Sequence, residues 1–262
     1  MVTSMWEGNR ILGLIPARGG SKGVPRKNLA RVGGHSLVSR ALNVLAWVPE
    51  VDRILVSSED EEMRAHVNRY GDYAPFARPA ELATDSARAL PVIRHALEWA
   101  EVTDRVTYEA VLLVEPPCPF RLPDHLRGGL RQAFSTDATS VMSLVEVGDA
   151  HPIRVKRLGP DGAVMPYCAP EPEGLRRQEQ EPAYLRNGAF YVFRRSVVLS
   201  GSLWGGRPHG VVMDRDLYGI NIDEPVDLVA ARWKWTTAAR EGRTAQLSPP
   251  WRLRAASRSA GR

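Results

Sequence analysis

Residues 11–28 read ILGLIPARGGSKGVPRKN, and the change of character inside this stretch decides the fold. Ile11 to Pro16 is apolar at nearly every position where a strand with one wet face would alternate, so it reads as a short strand buried on both sides. A loop follows. Gly19, Gly20 and Gly23, with Ser21 between them, can adopt backbone angles closed to other residues and turn successive N–H groups toward one point, which suits an anion. Arg18, Lys22, Arg26 and Lys27 set four cations around that point, and Pro25 restricts the loop. A polyphosphate is the simplest ligand for such a loop. A solvated basic turn between strand and helix is the other reading, and the residue types leave both open. Neither G-x-x-x-x-G-K-[ST] nor G-x-G-x-x-G occurs here, which separates the loop from the two familiar phosphate-binding motifs.

Strand-like and helix-like stretches then alternate. His35 to Val48 carries Leu37, Val38, Ala41, Leu42, Leu45 and Ala46 at helical spacing, a face for a sheet. Ile54 to Ser57 predicts a strand, Glu59 to Tyr70 a helix stopped by Gly71, and Leu90 to Ala100 another helix. Ala110 to Val114 predicts a second buried strand, Pro123 to Phe134 a helix, and Thr139 to Val145 a further strand. Asn187 to Val198 reads as a strand. Tyr218 to Trp235 reads as strand, turn and helix, with Asp223 as N-cap and Pro225 near the first helical position. This order predicts an α/β fold, three-layered, with a mostly parallel sheet whose ligands bind beyond the strands' carboxyl ends. Residues 147–186 break the pattern, being rich in proline and charge, and are expected to form two short strands and a long irregular excursion.

The chain has 262 residues, 44% hydrophobic and 25% charged, enough for one domain, expected over 1–235. Its formal charge of +5 is unevenly placed: residues 232–262 carry +7 and the remaining 231 carry −2. The body gives no reason to expect nucleic acid, and 236–262 is expected to be a basic flexible tail. Cys118 and Cys168 have neither metal-ligand spacing nor a disulfide framework and fit a reducing compartment. No secretory signal and no run of eighteen apolar residues is found, so a cytoplasmic chain with no membrane partner is expected.

Six segments, in order, resemble the CMP-sialic acid synthetase (acylneuraminate cytidylyltransferase) family: IPARGGSKGVPRKNL (15–29), ARPAELATDSA (77–87), LLVEPPCPFR (112–121), HPIR (151–154), RNGAFYV (186–192) and INIDEPVDL (220–228). The resemblance extends over roughly Arg10 to Arg232. It implies a Rossmann-like nucleotidyltransferase fold and transfer of CMP from CTP to an acidic acceptor, with loss of pyrophosphate. Arg18 and Lys27 would then be electrostatic catalysts at the triphosphate. Ala17, Gly19, Gly20, Ser21, Lys22 and Gly23 would line the nucleotide, Asn28 would hold the nucleoside, and the segment of Arg78 and Ala87 would select cytosine. Asp223 matches the second of two Mg²⁺-binding aspartates, and Asn221 stands where the first is expected, so the number of metals is open. A plain helix cap is the other reading of Asp223.

The acceptor side departs from the pattern. Glu115 replaces the family's glutamine, and Leu185 falls at a basic position. Glu115, Arg154, Arg177, Arg186 and Asn187 are the candidate acceptor contacts, each arginine being equally readable as a surface charge. A sialic-type nonulosonic acid is the expected acceptor and a small phosphonate the alternative. A non-catalytic CTP-binding regulator is the reading from another class. By resemblance the chain is a homodimer whose excursion reaches a neighbouring site.

Overall fold

The structure, a computed structural model, describes residues 8–168, 170, 172–173 and 176–253. In chain order its elements are β1 (Ile11–Pro16), β2 (Arg31–Val32), β3 (His35–Ser36), α1 (Leu37–Leu45), β4 (Arg53–Ser57), α2 (Glu61–Asn68), α3 (Ala89–Asp104), β5 (Ala110–Leu113), α4 (Pro123–Ser135) and β6 (Ser140–Glu146). They continue with β7 (Lys156–Leu158), β8 (Val164–Pro166), β9 (Tyr184–Arg194), α5 (Arg195–Leu199), β10 (Pro208–Val212), α6 (Arg215–Tyr218) and α7 (Pro225–Arg240).

Six strands form one sheet in the order β10-β6-β9-β5-β1-β4. β1 is parallel to both β4 and β5, β10 is parallel to β6, and β9 runs antiparallel between β5 and β6. The continuous apolar run of β1 follows from this central position. Ile11 and Ile15 pack into the core on one face and Leu12 and Leu14 into the core on the other, as the two-residue period of a strand requires. From β1 the chain builds outward to β4 and then returns to add β5 on the opposite side. The strand order therefore reverses between β1 and β5, and such a reversal opens a crevice at the carboxyl ends.

β9 carries the one irregularity that matters for the site. Its register against β6 shifts between Met142 and Leu144, and within the bulge Gly188 takes φ +72°. The Ser143 hydroxyl restores the interrupted ladder by accepting from the Phe190 N–H and donating to the Phe190 carbonyl, both at 3.1 Å. Fully buried Arg121 takes the Ala189 carbonyl at 2.6 Å and the Glu115 carbonyl at 2.9 and 3.0 Å, and also donates to the Cys118 carbonyl. One guanidinium thus joins the bulge to the loop after β5.

Several expectations change. The strand expected over 187–198 is β9 followed by α5, and no strand forms at Tyr218–Ile222, where α6 ends and an irregular segment follows. β10 carries little apolar alternation and was not anticipated. The stretch 236–262, expected as a flexible basic tail, is corrected as far as Leu253. α7 continues to Arg240, Leu247 and Leu253 are buried, and Trp251 stacks on His35 with ring centroids 3.5 Å apart. Asn43 of α1 donates to the Pro250 carbonyl and accepts from the Arg252 N–H, so the segment covers the polar side of α1. Residues 254–262 lie outside the described residues.

The excursion contains the antiparallel hairpin β7–β8, as expected, with Leu158, Val164 and Tyr167 exposed on and beside it. Among the described residues no helix is long and apolar enough to cross a membrane.

Candidate active site

A cavity of about 370 Å³ opens at the carboxyl ends of β1 and β5, between Pro16 and Leu113, where the strand order reverses. The loop after β1 forms one wall. Its glycines serve close approach and not left-handed geometry, since Gly19, Gly20 and Gly23 all lack positive φ, and the loop's left-handed residue is Arg26 at φ 52°. A Cβ on Gly19 would stand 2.5 Å from the Asp60 carboxylate, and one on Gly23 would stand 2.0 Å from the Asp223 carbonyl. The loop is therefore seated on the start of α2 and against the segment before α7, which no side chain would permit.

Arg18 and Lys27 line the cavity, as do Gly20 and Ser21. Each cation faces a carboxylate: Arg18 pairs with Asp85 at 2.5 Å, Lys22 with the same Asp85 at 3.1 Å, and Lys27 with Asp223 at 2.9 Å. The Gly19 N–H donates to Glu59 at 2.8 Å. Hydrogen bonds from Lys22 and then Arg18 hold the exposed Asp85 carboxyl below its ordinary range. The two pairs on Asp85 are exposed enough to contribute little net stability, so an incoming polyphosphate could replace that carboxylate at small cost. Asp85 and Glu59 escaped the sequence reading because their partners lie 67 and 40 residues away.

The nucleoside-side residues converge on the same cavity. Asn28 donates to the Arg18 carbonyl at 2.9 Å, while its amide oxygen is buried with no protein partner and so remains an open acceptor. Arg78 is buried, bonded through Nε to the Ser57 hydroxyl and also to the Ser57 carbonyl; burial lowers its pKa, with Glu59 opposing. Ala87 lines the cavity. Ala17 does not; it is buried behind the loop, its N–H donating to the Ser57 carbonyl. Lys22, Gly19 and Gly23 also stand outside the lining, acting through the loop's shape and its ion pairs.

On the opposite wall stand Glu115, Asn221 and Asp223. The Ile222 N–H donates to the Pro117 carbonyl at 2.9 Å, fixing the segment before α7 to the loop after β5. Asp223 is not the N-cap of α7; that position is Glu224, and Asp227 reaches back to accept from the N–H groups of Asp223 and Glu224. This arrangement leaves the Asp223 carboxylate to the cavity. Its Oδ1 meets Lys27, and its Oδ2 accepts from Asn221 at 2.7 Å. Burial pushes the Glu115 carboxyl up; Arg121 opposes this and Asp223 adds to it. The donor atoms on this wall are oxygens, and the Asn221 amide oxygen is buried without a partner. Asp223 and Asn221 therefore fit a hard divalent cation that also takes ligands from substrate phosphates. Among the described residues no group of three or more His, Cys, Asp or Glu side chains could hold a metal without such help.

Of the expected acceptor contacts, Glu115 lines the cavity, whereas Arg154, Arg186 and Asn187 do not. Asn187 is buried, donates to the Tyr218 carbonyl at 3.1 Å and accepts from the Ala189 N–H, which fixes the bulge. Arg154 lies in the excursion 3.9 Å from Asp149, and Arg186 sits over the Trp204 ring at 5.1 Å. Neither lines the cavity. The side chain of Arg177 lies outside the described residues.

A sequence model of the family described as cytidylyltransferase matches residues 12–198. A CMP-N,N'-diacetyllegionaminic acid synthase of Legionella pneumophila is 26% identical over 223 residues, 83% of this chain and 93% of that protein. An N-acylneuraminate cytidylyltransferase of Oncorhynchus mykiss is 29% identical over 229 residues, 84% of this chain; the chain spans about half, 49%, of that relative's length. A pseudaminic acid cytidylyltransferase of Campylobacter jejuni is 29% identical over 179 residues, 68% of this chain and 75% of that protein. Among solved structures, a CMP:2-keto-3-deoxy-manno-octonic acid synthetase complexed with CTP superposes with a TM-score of 0.62 at 18% identity, over 89% of this chain and 100% of that one. A 4-diphosphocytidyl-2C-methyl-D-erythritol synthase from Anaerococcus prevotii gives 0.61 at 14% identity, over 89% and 99%. At these identities the two structures establish the α/β fold.

Proposed function

The chain belongs to the cytidylyltransferase family, and from that premise we propose that it transfers CMP from CTP to a nonulosonic acid of the sialic type, releasing pyrophosphate. The observation that carries this reading is the meeting of Arg18, Lys27, Asn28 and Asp223 in one cavity at the strand-order reversal. The acceptor hydroxyl attacks the α-phosphate, and negative charge grows on the departing pyrophosphate. Arg18 and Lys27 are aimed where that charge develops, in a setting held rigid by the seated loop. Before nucleotide arrives they are held by Asp85 and Asp223, so the triphosphate exchanges with carboxylates and meets cations already in position. The open amide oxygen of Asn28 accepts from the nucleoside. Asp223 and Asn221 would hold Mg²⁺, which when bound supplies further positive charge to the phosphates.

A small phosphonate is the second acceptor reading. It is favoured by the departures at Glu115, Leu185 and Asn221, and by a cavity lining that contains neither Arg154 nor Arg186. In either case the chain works as a homodimer through the 147–186 excursion, a reading supported by the exposed Leu158, Val164 and Tyr167.

The test is pyrophosphate release from CTP and Mg²⁺ with nonulosonic acids, 3-deoxy sugar acids and small phosphonates, beside Arg18→Ala and Asp223→Ala. Release with one acceptor class, lost in both variants, is the expected result. CTP binding without release from any acid would favour a nucleotide-binding regulator and overturn the proposal for these acceptors.

A further inference from the structure

Glu115, expected as an acceptor contact, has surroundings that point to a second role. Its carboxylate lines the cavity, is half-buried, and has no hydrogen-bond donor among the described residues. Across from it the amide oxygen of Asn221 is buried and also lacks a donor, because the Asn221 amide nitrogen is turned to Asp223. Both oxygens stand over the backbone of Gly188. The point where a Gly188 side chain would begin lies 2.7 Å from Glu115 Oε2 and 3.7 Å from Asn221 Oδ1. Two acceptors facing one small space, with a further carboxylate beside them, are satisfied by a cation or by a proton.

We propose that Glu115 is a ligand of the divalent cation, acting with the Asn221 amide oxygen beside Asp223. It restores the negative charge that an amide at position 221 does not provide. This rests on the cytidylyltransferase reading and extends it. The chemistry is consistent: a hard cation takes carboxylate and amide oxygens alike, and two carboxylates plus substrate phosphates are a usual magnesium set. Three features hold the arrangement in place. Arg121 clamps the Glu115 main chain, the Ile222–Pro117 hydrogen bond brings the two loops together, and Gly188, at φ +72° in the β9 bulge, leaves the floor of the space open.

The test uses the full chain saturated with CTP and follows Mn²⁺ binding by water-proton relaxation, with CTP affinity measured separately in EDTA. Glu115→Gln is expected to weaken Mn²⁺ binding by about tenfold or more while leaving metal-free CTP affinity unchanged. Adding Asn221→Asp to it is expected to recover most of the loss, because a carboxylate returns to the same space. Mn²⁺ affinity within about twofold of the parent in Glu115→Gln would overturn the proposal and leave Glu115 as a protonated partner of Asn221. Failure of the parent chain to bind CTP would instead overturn the cytidylyltransferase reading itself, and the metal assignment with it.

Discussion

Replacing Arg121 by Met removes the buried clamp between β9 and the loop after β5. The guanidinium serves three carbonyls, those of Glu115, Cys118 and Ala189, and it is fully buried. Met fills much of the volume but donates nothing. A buried carbonyl left without a donor costs about 1–3 kcal/mol, so the gross loss is about 3–9 kcal/mol. Returning a buried charge to solvent offsets about 3 kcal/mol of this, so from the middle of that range the net expectation is a loss of about 3 kcal/mol. Against a total of about 5–15 kcal/mol for a domain, that is severe. Urea denaturation at neutral pH is the assay, with the m-value compared to confirm that the unfolded reference is unchanged. Arg121→Lys should fall between parent and Met variant, since an ammonium keeps the charge but not the planar fork. A loss below about 1 kcal/mol in Arg121→Met would refute the reasoning, because it would mean that water or a local shift satisfies all three carbonyls.

Lys27→Ala should lower kcat for pyrophosphate release by about 10²–10³-fold, the usual effect of removing one preorganised charge-stabilising group; an unchanged kcat would remove Lys27 from the mechanism. Gly23→Ala should weaken CTP binding by about tenfold or more, because its Cβ would meet the Asp223 carbonyl at 2.0 Å; calorimetry on the folded variant reads it. His35, His66 and His125 are each held below the ordinary 6.5, first of all by burial, and His125 Nδ1 accepts from the Leu122 N–H and so cannot carry a proton there. The unfolded chain therefore binds more protons as the pH falls through 6.5, so this stability is present at neutral pH and is lost as the pH drops through the lowered histidine values. His125→Asn should flatten that slope in denaturation curves at the two ends of the window. Trp251→Ala should cost about 2 kcal/mol from the lost stack on His35 and lost apolar contact; a neutral result would return 248–253 to the status of a tail.

β1 could be read from its composition because a central parallel strand buries both faces, a demand visible in six consecutive residues. The loop after β1 was legible as a collection of cations and glycines, but the reason for the glycines was not. Asp60 and Asp223, which they must approach, are far away in the chain. Asp223 could also be read as a helix cap, and only the folded segment gives the cap to Glu224 and the carboxylate to the cavity.

The sequence by itself determined the main alternation of strand and helix from β1 to β6, the doubly covered sheet and the cationic loop at its edge, because these rest on local periodicity and on charge within a few residues. Tertiary structure alone decided which carboxylates hold Arg18 and Lys27, that Asn187 faces the core, that residues up to Leu253 fold back over α1, and that Glu115 and Asn221 meet above Gly188. Each of these is a contact between segments brought together by strand order and by a bulge in β9, and such contacts leave no periodic trace along the chain.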